Sequence, residues 1–170
     1  MINRTDISAF RAQLVVPEQR QLFDYWLQKS AGRLMPARAD IQPHQIPRIL
    51  PFVSLIDVAT QVAQSTVRLA GTKLREIYDR EITGLKIEDL DWNEKRDYWL
   101  TAFNRTIHEV VPTQGILRAP RHAKEHMVQY WLRLPLFTSA ESSVSMVLCY
   151  DYFMPASERL EEQLRLVAGG

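Results

Sequence analysis

Two histidines four residues apart, His122 and His126, have the spacing that sets two zinc ligands on one face of a helix. They stand in PRHAKEH, just after Pro120 and ahead of a strand-like run, and no third ligand has an obvious place. Because a metal site needs its full ligand count, the string reads as an exposed polar loop and no metal site is assigned. RLAGT invites comparison with a phosphate-binding loop, yet one glycine cannot build the cradle of a Gly-rich motif. It reads as a strand end turning into a helix, with Gly71 allowing the turn and Thr72 capping; Thr83-Gly84 reads the same way.

Nucleophilic catalysis finds no better footing. Ser54, Ser142, Ser143 and Ser145 lie in strand or hairpin sequence without the glycine frame of a nucleophile elbow. Asp57, Glu88, Asp89 and Asp151 would do acid–base work only if the fold brought them together, and such residues ordinarily cap or face solvent. No catalytic residue is assigned. The single cysteine, Cys149, sits in an apolar run, which excludes an internal disulfide, fits a reducing compartment and reads as core packing.

The elements that would position these groups follow from periodicity. A first helix is expected from Pro17 to Ala31, with Leu22, Phe23, Trp26 and Leu27 on one face and Gly32 to stop it. LMPARADIQPHQIPRILP carries four prolines, too many for a long helix or a central strand, so short helical turns are expected from about Asp40. FVSLIDV and STVRLAG read as an antiparallel hairpin. After small helical pieces, Asp91 and Glu94 match a capping-box pattern, opening a longer helix whose stripe runs Trp99, Ala102, Phe103, Thr106, Ile107, Val110 up to Pro112. TQGILRA, MVQYWLRLPLF and SSVSMVLCYDYF then read as three strands, the last two joined by TSAES. Ser157 caps an expected terminal helix with Leu160, Leu164 and Val167 on one side.

The order implies an α+β fold: a five-stranded antiparallel sheet with short helices and one longer helix on one face, plus the N-terminal helix, which would cover the other. At 170 residues the chain suits a single domain, and 46% hydrophobic with 24% charged residues is an ordinary globular composition. A net charge of +1 lacks the basic excess of nucleic-acid binders, so no nucleic-acid partner is expected. No apolar run approaches a membrane span and the N-terminus is too polar for a signal peptide, so a cytoplasmic location is expected.

Several local strings sharpen this. Tyr25-Trp26, LMPARADIQPHQIPRILP, LIDV, RLAGTKLREIYDREITGLKIEDL and LRLPL occur in one order over about residues 20–155. In them the sequence resembles a family of single-domain bacterial PAS proteins, common among alphaproteobacteria and formerly a domain of unknown function. The resemblance divides the chain into an N-terminal tail (1–15), the first helix and Pro-rich segment packed on the domain (16–51), a PAS core (52–153) and a C-terminal helix (154–170). It implies a curved sheet enclosing a cavity, and a sensory or regulatory role in signal transduction.

Within that frame a pocket is expected between the inner sheet face and the longer helix. Trp99, Phe103, Tyr130, Leu132, Met146 and Leu148 would line it, although core packing explains the same side chains. Arg68 or Arg118 at a rim would pair an anionic ligand, or serve as a surface ion-pair partner. His108 falls where haem-binding PAS proteins carry their iron ligand, but a cation at a helix C-terminus is favourable in itself. The loop before the longer helix lacks the cysteine of the light-sensing flavin branch. Neither haem nor flavin is therefore expected, and the cofactor is unknown.

The expected function is a PAS-type sensor that binds a small ligand or a signalling protein, with a homodimer expected. A ligand-free dimerising module built on the first helix and outer sheet face is the alternative. A small enzyme or carrier on a cone-shaped α+β fold would require His108 and Asp151 to face one cavity.

Overall fold

The alternating and helical patterns resolve into five strands and four helices in a computed structural model that describes residues 4–118, 126–139 and 142–159. The strands are β1 (Val53–Asp57), β2 (Thr66–Ala70), β3 (Thr113–Arg118), β4 (Met127–Leu136) and β5 (Met146–Pro155). They form one antiparallel sheet in the order β2-β1-β5-β4-β3. Helices α1 (Arg4–Gln13) and α2 (Pro17–Ser30) precede the sheet, while α3 (Thr72–Tyr78) and α4 (Arg96–His108) fill the excursion between β2 and β3. The fold is the α+β arrangement expected from the sequence.

Helix α2 begins at Pro17, whose missing N–H costs nothing in the first turn. It ends where Ala31 and Gly32 both take left-handed φ, 51° and 83°. Leu22, Phe23 and Trp26 are buried, and the Trp26 indole donates to the Pro135 carbonyl at 2.9 Å. Gln19 adds a second tie: its Nε2 donates to the Trp131 carbonyl, and its Oε1 accepts from the Val16 N–H. The apolar stripe of α2 thus closes one face of the sheet. The Pro-rich segment makes short 3-10 turns at Arg38–Asp40, Pro43–Gln45 and Leu50–Phe52.

Four local expectations need correction. The tail expected over residues 1–15 is instead mostly helical: α1 occupies Arg4–Gln13, and none of its residues is buried. It is held on α2 by the Arg11 guanidinium, which donates twice to Asp24 at 2.8 Å, and by Phe10 against Phe23. The longer helix opens at Arg96, not Asp91, because Asn93 takes φ 48°, a left-handed value that interrupts a continuous α turn. It closes at His108 rather than reaching Val110, whose φ is 54°. Gly71, not Thr72, is the N-cap of α3, with no side-chain cap bond. The 156–159 segment is helical, and the rest of the expected terminal helix lies outside the described residues.

Candidate functional site

Side chains alternate along a strand, so register fixes which residues share a face. Arg133 on β4 lies opposite Cys149 on β5, Trp131 opposite Asp151, and Ser54 on β1 opposite Cys149. This parity turns toward α3 and α4. Ser54, Ile56, Arg133, Cys149 and Asp151 meet Leu74 and Tyr78 of α3, Phe103 of α4 and Trp92 around one small cavity. The cavity measures about 20 Å³, the space of roughly one water molecule.

Its centre is an ion pair. The Arg133 Nη2 donates to Asp151 Oδ1 at 2.9 Å, with both side chains buried. Gln129 Nε2 donates to the same oxygen at 2.7 Å, while Arg133 Nη1 donates to the carbonyls of Leu132 and Tyr150. Three rings surround the guanidinium: Trp99 at 4.9 Å, and Phe103 and Trp131 at 5.4 Å each. Burial alone would lower the Arg133 pKa, but the charge of Asp151 and its hydrogen bond hold it above the ordinary value. Arg133 Nε, Gln129 Oε1 and Trp99 Nε1 are buried without a hydrogen-bond partner among the described residues.

Burial pushes the neighbouring Cys149 thiol up to about 12, so it stays protonated and unreactive. Its Sγ contacts the Val147 carbonyl at 3.8 Å. The Tyr78 phenol is likewise raised by burial, and Trp92 is its side-chain hydrogen-bond partner.

The residues expected at a pocket divide between the two sheet faces. Trp99 and Phe103 line the Arg133 face. Tyr130, Leu132, Met146 and Leu148 carry the opposite parity, paired with Tyr152, Tyr150, Leu136 and Leu134. That is the α2 face: Tyr130 packs with Val16, and Glu18 raises the neighbouring Tyr150 phenol beyond the larger effect of burial. Arg68 reaches Asp57 at 3.2 Å on the exposed side of the hairpin. Arg118 is exposed at the end of β3, where its carbonyl accepts from Lys95.

His108 is exposed and lines a surface groove with Val58, Thr60 and Ser142, away from the cavity that holds Asp151. The two line different cavities, and the side-chain partners of Asp151 are Arg133 and Gln129. His122 lies outside the described residues, and no group of three metal-ligating side chains occurs within them. Sequence reasoning passed over Gln129, Arg133 and Asp151 as a cluster. The available signal was a glutamine and an arginine four apart in an otherwise apolar strand, with an aspartate on the next one.

Comparison with known proteins bears on the family and the fold. A family model described as a PAS domain matches residues 14–150. No curated protein matches the chain. Among solved structures, the Rhodobacter sphaeroides LOV protein is similar in fold, with a TM-score of 0.51, 16% identity, and coverage of 73% of this chain and 74% of that one. A sensory box sensor histidine kinase from Vibrio cholerae is similar at a TM-score of 0.45 and 14% identity, over 66% of this chain and 90% of that one.

Proposed function

This chain belongs to the PAS domain family, and from that membership we propose that it is a regulatory domain of bacterial signal transduction that works by contact with a partner protein. The observation that carries the reading is the filled interior. Where a PAS fold would enclose a ligand, Arg133, Asp151 and Gln129 sit under Trp99, Phe103 and Trp131, and about 20 Å³ is left. Ligand pockets ordinarily measure about 300–1,000 Å³, so admitting a cofactor would mean unpacking a buried ion pair. A non-catalytic role is supported by the engagement of Asp151 with Arg133 rather than with a histidine.

Self-association belongs to the same proposal, though not through α2, whose apolar stripe is buried against the chain's own sheet. A second reading, a sensor of one very small polar guest, is favoured by the unpartnered Arg133 Nε, Gln129 Oε1 and Trp99 Nε1. Native mass spectrometry of protein purified gently from its own host, with an absorption spectrum of the same sample, separates the readings. The bare polypeptide mass, or its multiple, with no absorbance beyond Trp and Tyr is expected. A discrete extra mass, or a Soret or flavin band, would replace the protein-contact reading with a ligand-loaded one.

A further inference from the structure

A groove of about 390 Å³ lies between α1, α2 and the connection from α4 to β3, far larger than the interior cavity. Ile7 and Phe10 of α1 form one wall, Phe23 and Leu34 the floor, and Val110 to Pro112 the other wall. Leu34 is 41% exposed, a large apolar side chain left open in a concave place. The wall from α1 is fixed by the Arg11–Asp24 pair and the Phe10–Phe23 ring contact, 4.9 Å between centroids. The opposite wall holds Val110 at φ 54°, a conformation costly for a β-branched residue and kept only where the surroundings enforce it.

The polar groups of the groove are of one sign. Asp6 and Glu109 are its charged residues, and no basic side chain lines it among the described residues. Arg105 reaches Glu109 at 3.5 Å, but both are more than half exposed, so that pair competes weakly with a guest. An apolar groove with two carboxylates in its lining complements an apolar body carrying one positive charge and rejects the matching anion. We infer that this groove binds a small amphipathic organic cation of the arylalkylammonium class, its ring on Phe10, Phe23 and Leu34 and its ammonium between Asp6 and Glu109. The inference goes beyond the regulatory reading, which does not need the groove to be filled.

Three indole probes of different charge test it on the intact chain: tryptamine, its neutral isostere tryptophol, and the anion indole-3-propionate. The readout is the NMR shift of the methyl groups of Ile7, Leu34, Val110 and Val111. Tryptamine should shift them and bind about tenfold tighter than the anion, a preference that added salt reduces. In the double variant Asp6→Asn, Glu109→Gln the preference should vanish while weak binding of tryptophol persists. Equal affinity of the three probes, a preference unmoved by salt, or shifts confined to other methyls would overturn the proposal. The salt series uses wild-type protein, so the test survives even if the variant fails to fold.

Discussion

The hydroxyl of Tyr98 lies over Gly115, where a Cβ would come within 2.6 Å of it, and accepts the indole N–H of Trp131 at 3.0 Å. Trp131 is the cross-strand partner of Gly115, and a Cβ there would also stand 2.7 Å from its ring. Tyr98 can swing outward, but Trp131 is packed against Trp99, 5.2 Å away between centroids, and cannot. Gly115→Ala should therefore cost about 1–3 kcal/mol. Urea unfolding checks it, and an unchanged midpoint would mean that the ring moves freely.

Arg133 and Asp151 are a second coupled pair. Removing one partner leaves a buried charge, so Arg133→Met or Asp151→Leu alone should cost about 3–5 kcal/mol. The double variant should recover part of that loss, because apolar groups of similar volume fill the same space, while the buried Gln129 amide still loses Asp151 as its acceptor. A double-mutant cycle by denaturant unfolding measures the coupling; additive losses would show that the pair does not act as a unit.

Gly71 and Gly84 should respond differently to substitution. At Gly71, with φ −66°, the conformation suits any residue, but a Cβ would meet the carbonyl oxygens of Leu50 and Pro51 at 2.3 and 2.4 Å. At Gly84 the space is open and only φ 89° resists a side chain. Gly71→Asn should cost about 3 kcal/mol or more, whereas Gly84→Asn should cost less, because asparagine tolerates left-handed backbone. Thermal melts of the two variants decide the order.

Burial raises the Cys149 thiol from an ordinary 9.0 to about 12 and moves the phenols of Tyr78 and Tyr150 upward in the same direction. A raised acid favours its protonated form in the folded state. The stabilisation is therefore complete below the unfolded value and is lost as pH rises from about 9 toward 12. Unfolding free energy should decline across that window, with a shallower slope in Cys149→Ala. A thiol reagent should label Cys149 at neutral pH only after unfolding.

The two leading helices should separate on truncation. Removing residues 1–13 deletes a helix with no buried side chain and should leave a folded chain. Removing residues 1–30 deletes Leu22, Phe23 and Trp26 as well and should unfold it, while Trp26→Ala alone should cost about 3–5 kcal/mol. Circular dichroism of both truncations reads the outcome. A folded monomer lacking α2 would make that helix an association element instead of a lid.

How far the sequence was legible depended on contrast between faces. Helix α2 was readable because Leu22, Phe23 and Trp26 fall on one buried face, and β1 and β5 because short, continuous apolar runs mark buried strands. The side of β4 facing the interior was not readable, because both parities are buried from Val128 to Leu136. Choosing Tyr130 and Leu132 as pocket residues followed hydropathy; the interior instead took the polar parity, where Gln129 and Arg133 satisfy Asp151. The start of α4 was obscured by Asn93, whose left-handed turn is a tertiary choice that the Asp91 and Glu94 pattern does not encode.

The interior ion pair has a consequence for how this chain can diverge. Positions 133 and 151 are locked to one another, since each single apolar replacement passes through a poorly folded form. A lineage descending from this sequence can drift freely at Arg68 or Arg118, whose side chains are in solvent, but must cross a fitness valley to exchange Arg133. The two positions should thus be inherited together, either both charged or both apolar, with mixed pairs purged.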